Sequence, residues 1–214
     1  MRKDLIINWL EKNGQTLTDT QLCHMEIYQN MVLSAPMNLT AIKDDEGFAI
    51  KHFIDSLTLL PWIDALTNNA KVIDIGTGAG FPGVPLKIAR PNLDITLLDS
   101  LQKRVLFLRK ALDELGYADV ETVHARVEDY VKNVGEMYDI AVARAVARLE
   151  KLADYALPLV KPGGLFLAMK GPNIEEEIKN AKPVLHKLGG EIINISAVEI
   201  SQEMFHTIIA IQKK

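Results

Sequence analysis

Residues 72–83 decide the fold of this chain, and they read VIDIGTGAGFPG. An apolar run ends in an acidic residue and a cluster of glycines, after which an apolar pattern typical of a helix begins. In open α/β sheets, ligands bind at the carboxyl ends of buried parallel strands. Glycines at such an end let backbone amides approach a ligand that a Cβ atom would push away. The stretch therefore predicts a loop that binds a nucleotide cofactor.

The glycines of this loop fit two cofactor templates. Gly78, Gly80 and Gly83 match the G-x-G-x-x-G pattern of dinucleotide-binding proteins. Asp74, followed by Gly76, Gly78 and Gly80, matches the loop of S-adenosylmethionine-dependent methyltransferases. In that second class the carboxylate meets the ammonium group of the cofactor directly or through water. The glycines alone leave both templates open.

Two prolines after the loop weaken the dinucleotide interpretation. Pro82 and Pro85 stand where the next helix should begin. A proline is tolerated in a first helical turn, but a pyrophosphate group needs free amides there. An NAD-dependent oxidoreductase is therefore disfavoured.

From Lys71 onward, short apolar runs alternate with amphipathic helices. Strands are predicted near residues 71–75, 94–98, 120–124, 138–143, 165–169, 191–199 and 205–212. This alternation predicts a parallel sheet covered on both faces, and the last two strands are too close in sequence for anything but an antiparallel pair. The prediction is an α/β fold with the doubly wound, Rossmann-like sheet of class I methyltransferases, mostly parallel with an antiparallel C-terminal hairpin.

The first part of the chain lacks this alternation. Residues 1–64 are predicted to form an N-terminal helical cap, and residues 65–214 the methyltransferase domain. Thr18 and Asp19 are a helix start signal, and a later helix is predicted to run up to Pro61.

Composition excludes several classes of protein. With 214 residues, 48% of them hydrophobic, the chain can bury a sizeable core. Cys23 is the only cysteine, which excludes a disulfide framework and a Cys-rich zinc site, so we expect no metal. No signal peptide and no apolar run of about 20 residues is visible, which predicts a cytoplasmic protein without a membrane partner. The net charge of -4 argues against coating of nucleic acid through bulk charge, but permits a local basic patch.

Acidic residues mark the ends of the next two predicted strands. Asp99 ends the second strand, where an acid can accept both hydroxyls of a ribose. Its alternative role is that of an acid at a helix N-terminus beside a Ser100 cap. Val127 and Glu128 follow the third strand, where methyltransferases hold adenine between an apolar residue and an acid. The alternative for Glu128 is a solvated helix start.

Several motifs occur in one order along the chain: MNLT at 37–40, HFIDS at 52–56, GTGAGFPGVPL at 76–86, LLDSLQKRVLFL at 97–108, RVE at 126–128, RA at 144–145 and MKG at 169–171. In these the chain resembles the bacterial guanine-N7 methyltransferases of small-subunit ribosomal RNA, the glucose-inhibited division protein B family. The resemblance implies transfer of a methyl group from S-adenosylmethionine to N7 of one guanine in 16S rRNA. The implied partner is 16S rRNA or the small ribosomal subunit.

The resemblance also implies where the cofactor is bound. Carried over by position, and with the loop glycines included, the cofactor contacts are Gly76, Gly78, Gly80, Phe81, Asp99, Val127, Glu128 and Arg144. Asp99 is the ribose acid, and Arg144 is assigned to the cofactor carboxylate or to a nearby RNA phosphate.

The implied chemistry requires no general base. Guanine N7 exposes a lone pair and carries no proton, so alignment of the reacting atoms can provide the rate. We therefore predict no catalytic residue in the usual sense. Cys23 lacks the Pro-Cys context of cytosine C5 methyltransferases, and residues 144–148 lack the Asn/Asp-Pro-Pro-aromatic loop of amino-group methyltransferases.

Three cations are predicted to bind RNA. In paired RNA, N7 faces a deep and narrow groove, so the target should be a loop nucleotide or a base pulled from its stack. Arg148 follows the fourth strand and Lys170 ends the fifth, which places both on the ligand side of the sheet. Arg104 lies in the first turn of a helix, where a cation opposes the helix dipole unless an anion docks nearby. The predicted buried stripe of that helix is Leu101, Val105, Leu108, Leu112 and Leu115.

Other functions stay open on the sequence alone. A methyltransferase acting on another RNA, a protein or a small molecule would use the same cofactor loop. A noncatalytic RNA-binding module that uses the cofactor only structurally would also carry it.

Overall fold

The computed structural model describes residues 1–66, 70–144, 147–201 and 204–214. One sheet contains seven strands: β1 (Lys71–Ile75), β2 (Asp94–Asp99), β3 (Glu121–His124), β4 (Tyr138–Arg144), β5 (Val160–Lys170), β6 (Gly190–Ser201) and β7 (Met204–Lys213). Their order is β3-β2-β1-β4-β5-β7-β6. Strands β1 to β5 pair in parallel, whereas β7 runs antiparallel to both β5 and β6. The predicted sheet and its C-terminal hairpin are confirmed, and residues 202 and 203 of the hairpin connection lie outside the described residues.

Helices precede the sheet and cover both of its faces. Before the sheet lie α1 (Lys3–Lys12), α2 (Asp19–Ser34), α3 (Asp45–Phe48), a π-helix (Ala49–Ile54), α4 (Asp55–Leu57) and α5 (Leu60–Asp64). Between the strands lie α6 (Gly83–Ala89), α7 (Gln102–Leu115), α8 (Val127–Val134), α9 (Leu149–Ala156), a 3-10 turn (Leu157–Leu159) and α10 (Glu175–Lys187). Within the described ranges, no helix has the length and apolar character needed to cross a membrane.

The N-terminal helices begin and end for identifiable reasons. Thr18 caps α2: its side chain accepts from the amide of Gln21, and the Gln21 side chain accepts from the amide of Thr18. This reciprocal cap confirms the predicted start signal. The predicted helix end at Pro61 is wrong, because Pro61 instead lies in the first turn of α5, where its missing N–H leaves no hydrogen bond unmade.

The core consists of two hydrophobic clusters, one on each face of the sheet. Successive strand residues alternate between them, since side chains of a strand point to opposite faces. Val72 packs with Ile6, Leu10 and Met25 of the N-terminal helices, whereas Ile73 packs on the side of α8, α9 and α10. The N-terminal helices thus share one core with the sheet. Whether residues 1–64 also form a unit of their own stays a prediction.

Helix α7 departs from its predicted start. Val105, Leu108, Leu112 and Leu115 are buried as predicted, but Leu101 is 42% exposed. The helix begins at Gln102, so Leu101 precedes the first turn and does not belong to the buried stripe. The Ser100 cap is also wrong, because the cap position of the helix is Leu101, which makes no side-chain capping hydrogen bond.

Gly80 determines how closely α2 approaches the glycine loop. Its φ is +83°, in the left-handed region, and a Cβ atom there would lie 2.2 Å from the hydroxyl oxygen of Tyr28. The Tyr28 hydroxyl donates to the carbonyl of Ala79 at 2.5 Å and is fully buried. The absence of a side chain at this position therefore accommodates Tyr28.

We expect Gly80→Ala to lower the free energy of unfolding by about 2–5 kcal/mol, because it adds a steric clash to the strain of a positive φ. Gly116 is a matched control, since its φ is +79° but no atom lies within 4 Å of a Cβ placed there. Gly116→Ala should cost only about 1–2 kcal/mol. Urea denaturation at pH 7 measures both, and equal losses would contradict the assigned packing.

Candidate functional site

Asp74 holds the glycine loop in place by accepting hydrogen bonds from it. One carboxylate oxygen accepts from the Thr77 hydroxyl at 2.7 Å and from the Gly83 amide at 2.8 Å. The side chain has no exposed surface, so it cannot make the predicted direct contact with an ammonium group in this arrangement. Its second oxygen is buried and has no hydrogen-bond partner within the part of the chain that the structure describes.

Burial dominates the electrostatics of Asp74. It raises the pKa of this carboxyl to about 6, against the hydrogen bonds from Thr77 and Gly83, which lower it. A carboxylate in a low-dielectric site is costly unless it is well paired. Asp74 thus serves the loop by shape and hydrogen bonding, at some expense of stability near neutral pH.

A cavity of about 220 Å³ opens above the loop, at the carboxyl ends of β1, β2 and β3. The predicted cofactor residues Gly76, Asp99, Val127 and Glu128 line it, together with Tyr155 of α9. Four residues predicted from separate segments are therefore brought together at one edge of the sheet. Bare backbone, an apolar residue and two carboxylates are a suitable donor and acceptor set for a ribonucleoside.

Asp99 sits at the floor of this cavity. Its carboxylate accepts from the amides of Gly78 and Leu101 at 2.9 and 2.8 Å, and it faces Arg104 at 3.3 Å. Two amides and a guanidinium thus fix the orientation of the acid. Gly78, at φ +61°, reaches Asp99 through its backbone amide.

Glu128 is held by a neighbour that the sequence analysis did not identify. The hydroxyl of Tyr155 donates to its carboxylate at 2.6 Å, and this hydrogen bond is the main cause of the lowered pKa of Glu128. An ionised carboxylate accepts hydrogen bonds, as the edge of an adenine would require.

Phe81 belongs to an aromatic cluster under the loop. Its side chain is 4% exposed and stacks on His52 with ring centroids 4.4 Å apart. Tyr28, Phe48 and Phe53 contact the same ring edge-on. The phenyl ring therefore supports the loop from beneath, and its predicted contact with the cofactor would have to come from the backbone.

Arg144 lies at the centre of a buried charge network. It donates to Asp55 at 2.7 Å and to the backbone carbonyl of Lys51 at 3.0 Å. The other oxygen of Asp55 is paired with the ring of His206 on β7. Burial opposes ionisation of Asp55, but the hydrogen bond from His206 and the charge of Arg144 outweigh it, so the pKa of Asp55 is lowered.

His52 completes this network as a neutral ring. Burial first, and then the charge of Arg144, lower its pKa to about 4. Arg144 can only donate, so Nδ1, 3.4 Å from its guanidinium, must be the accepting nitrogen. The proton is then on Nε2, which donates to the hydroxyl of Thr40 at 2.8 Å.

The predicted RNA cations differ in their surroundings. Arg148 is exposed just before α9. Arg104 faces Asp99, as described above. Lys170 is nearly buried: its ammonium donates to the carbonyl of Ala147 at 2.7 Å and pairs with Glu177 of α10 at 2.7 Å. RNA binding by the three stays a prediction.

A second cavity, of about 470 Å³, lies at the carboxyl ends of β4 and β5. Arg144, Asp55, Lys170 and Glu177 line it, with Phe205 of β7. Arg144 lines this second cavity and not the first, although the two cavities lie at the ends of the neighbouring strands β4 and β1. Within the described ranges, no group of three or more His, Cys, Asp or Glu side chains could hold a metal ion.

Sequence reasoning missed Asp55, His206, Tyr155 and Glu177. A signal existed for Asp55 alone, because it lies inside the HFIDS motif. The other three contact their partners only through tertiary structure, at separations of 151, 27 and 28 residues.

The fold and the placement of the cavity at the carboxyl ends of the strands define a class I S-adenosylmethionine-dependent methyltransferase fold. Among solved structures, TYW2 of M. jannaschii in complex with AdoMet superposes with a TM-score of 0.62 at 15% identity, covering 81% of this chain and 80% of that one. A precorrin-6y C5,15-methyltransferase of Geobacter metallireducens superposes with a TM-score of 0.56 at 18% identity, covering 84% and 93%.

Sequence comparison narrows this class to one family. The family model for rRNA small subunit methyltransferase G, GidB, matches residues 21–205. The protein of that name from Alkaliphilus oremlandii is 43% identical over 216 residues, covering 99% of this chain and 90% of that protein. The one from Clostridium novyi is 48% identical over 180 residues, covering 83% and 74%. The chain belongs to the rRNA small subunit methyltransferase G family.

The raised pKa of Asp74 gives a prediction for stability. Between its unfolded value of 3.8 and about 6, the folded state binds the proton more tightly, so this carboxyl destabilises the fold increasingly as pH rises. The unfolding free energy of the wild type, minus that of Asp74→Asn, should therefore fall by about 2–3 kcal/mol between pH 4 and pH 7. Urea denaturation across this range measures the difference, and a difference that stays constant would show that the pKa of Asp74 is not raised.

Proposed function

We propose that this chain transfers the methyl group of S-adenosylmethionine to N7 of a guanine in the 16S rRNA of the small ribosomal subunit. The observation that carries the proposal is membership in the rRNA small subunit methyltransferase G family, with relatives matched over up to 99% of the chain. The cavity above the glycine loop supports it, since its residues suit a ribonucleoside. A ribosomal substrate would also place the protein in the cytoplasm.

In this proposal the first cavity holds the cofactor. Asp99 accepts the ribose hydroxyls, Val127 and Glu128 contact the adenine, and the backbone of Gly76 borders the cofactor. Gly78, Gly80 and Phe81 contribute by shaping the loop, through the contacts to Asp99, Tyr28 and His52 described above. When bound, S-adenosylmethionine supplies an electrophilic methyl group attached to a positively charged sulfur.

The chemistry that remains for the protein is alignment. The lone pair of guanine N7 forms a bond to the methyl carbon, the carbon–sulfur bond breaks, and its electron pair stays on sulfur. The positive charge moves to the base, and no proton is transferred. The residues agree with this, because His52 is a weak base with a pKa of about 4, and Asp55 is already paired with Arg144 and His206. The protein therefore needs to orient the base and exclude water.

RNA would be held by local charge, because the chain as a whole carries a net charge of -4. Arg148 is exposed just before α9, and Lys51 is exposed and lines the second cavity. We assign these two to phosphates. Arg104, Arg144 and Lys170 each face a carboxylate. We therefore assign them to orienting the acidic side chains of the site and to contacts with the base or the cofactor.

The role of Asp99 can be tested by cofactor binding alone. Asp99→Asn removes the charge that accepts the ribose hydroxyls and should weaken binding of S-adenosylhomocysteine roughly tenfold or more. Asp94→Asn, at the exposed start of the same strand, is the matched control and should bind normally. Isothermal titration calorimetry gives both dissociation constants, and unchanged binding by Asp99→Asn would remove Asp99 from the site.

The reaction itself can be tested with labelled S-adenosylmethionine. We expect label on N7 of one guanine when the enzyme is offered naked 16S rRNA, small subunits and intact ribosomes, followed by mapping of the modified base. Label at another atom would overturn the proposed chemistry. Absence of label on any RNA, with label on a protein or small-molecule fraction, would favour the other methyltransferase substrates.

A further inference from the structure

We infer that the second cavity is the pocket for the target guanine and that Glu177 recognises its Watson–Crick edge. The inference rests on the proposed function and assigns a specificity-determining residue to it. The second cavity has a volume of about 470 Å³, which is large enough for a nucleotide, and it lies where β4 and β5 end. The two cavities are neighbours, because Lys170 lines the second one and its ammonium donates to the carbonyl of Ala147, which lines the first.

The rim of the second cavity offers a stacking surface. Phe205 lines the cavity and is 51% exposed, which is unusual for a large apolar ring. Proteins that bind a base pulled out of its stack commonly place it against an aromatic side chain. An exposed phenyl ring beside hydrogen-bonding groups therefore suits a nucleobase.

Glu177 has one oxygen without a partner in the described part of the chain, whereas both oxygens of Asp55 have one. One oxygen of Glu177 accepts from the Leu149 amide at 2.9 Å and faces the Lys170 ammonium at 2.7 Å. Within the described part of the chain, no hydrogen bond reaches the other oxygen, and the side chain is 22% exposed. Both oxygens of Asp55 are occupied, by Arg144 and His206. Glu177 is thus the carboxylate that can accept from a base.

The pair of Lys170 and Glu177 matches the edge of guanine. This edge presents the acceptor O6 beside two donors, the N1–H and the 2-amino group. An ammonium has three donors, so Lys170 can give one to O6 while the free oxygen of Glu177 accepts from N1–H and the amino group. Adenine presents the reverse pattern, a donor facing the ammonium and a lone pair facing the carboxylate. The same two side chains would therefore bind guanine and reject adenine.

This orientation directs N7 towards the cofactor. Of the two side chains, Lys170 is the one that contacts a residue of the first cavity, since its ammonium lies 2.7 Å from the Ala147 carbonyl, and Glu177 lies 2.7 Å from that ammonium in the second cavity. On guanine, N7 lies beside O6 and on the opposite side from the 2-amino group. With O6 on Lys170 and the amino group on Glu177, N7 lies on the Lys170 side of the base, which is the side that contacts the first cavity through Ala147. A carboxylate at N1–H also stabilises the positive charge that methylation places on the ring.

The test uses small subunits reassembled from ligated 16S rRNA that carries either guanine or inosine at the position mapped as methylated. Inosine lacks only the 2-amino group, so the wild type should methylate it with a kcat/KM roughly tenfold or more lower. In Glu177→Gln the one remaining oxygen is held by the Leu149 amide and Lys170, so the amide NH2 faces the base, and guanine and inosine should be methylated at nearly equal, reduced rates. Glu176→Gln, an exposed neighbour on α10, is the matched control and should keep the wild-type preference.

The outcomes separate this inference from the proposed function. If Glu177→Gln slows both substrates equally and keeps the preference for guanine, Glu177 acts only by holding Lys170 and α10, and the inference is overturned. If the wild type does not distinguish the two substrates, the inference is also overturned, although methylation itself stands. If the wild type methylates neither, the proposed function fails first. Circular dichroism of each variant establishes that it is folded.

Discussion

The arrangement of this protein depends on one buried carboxylate that forms no ion pair with any of the described residues. Asp74 lies between β2 and β4, opposite Leu97 and Val142, and a single oxygen of its side chain receives hydrogen bonds from both ends of the glycine loop. A Cβ atom at Gly83 would come within 2.9 Å of that oxygen, so the glycine is required for the closure. The loop shape follows from this contact, and the amides above it are oriented as a consequence. Because Asp74 is buried, water does not compete for its hydrogen bonds, and the loop beside the first cavity keeps its shape.

A second carboxylate joins segments that are far apart in the sequence. Asp55, from the N-terminal helices, binds Arg144 at the end of β4 and His206 on β7. The wall of the second cavity is therefore set by three parts of the chain at once. The two cavities also differ in chemistry: two ion pairs, those of Arg144 and Lys170, line the second, whereas the backbone of Gly76 and two carboxylates are among the groups that line the first. This difference fits a division between a cofactor that must be held and a base that must be oriented.

The sequence predicts the strands, their mostly parallel pairing and the hairpin because these depend on local apolar patterns and short connections. It also predicts four residues that line the first cavity, since parallel strands end at the same edge, but the other four predicted cofactor residues do not line it. It does not predict the pairing of Lys170 with Glu177 or of Arg144 with Asp55, because nothing local specifies which opposite charge a long side chain will reach. Phe81 shows the same limit. The glycine loop suggests that its ring contacts a ligand, whereas the structure covers that ring with His52 and Phe48 from the N-terminal helices.

The hydroxyl of Tyr28 bears on how such enzymes can be recombined. It reaches from α2 to the carbonyl of Ala79, in the space left by the missing side chain of Gly80. The N-terminal helices would seem the natural unit to exchange between relatives. They are, however, fitted to the glycine loop through Tyr28 on the helix side and Gly80 on the loop side. A chimera that imports foreign N-terminal helices has to bring a matched pair at these two positions. Otherwise it inherits either a void or a collision beneath its cofactor loop.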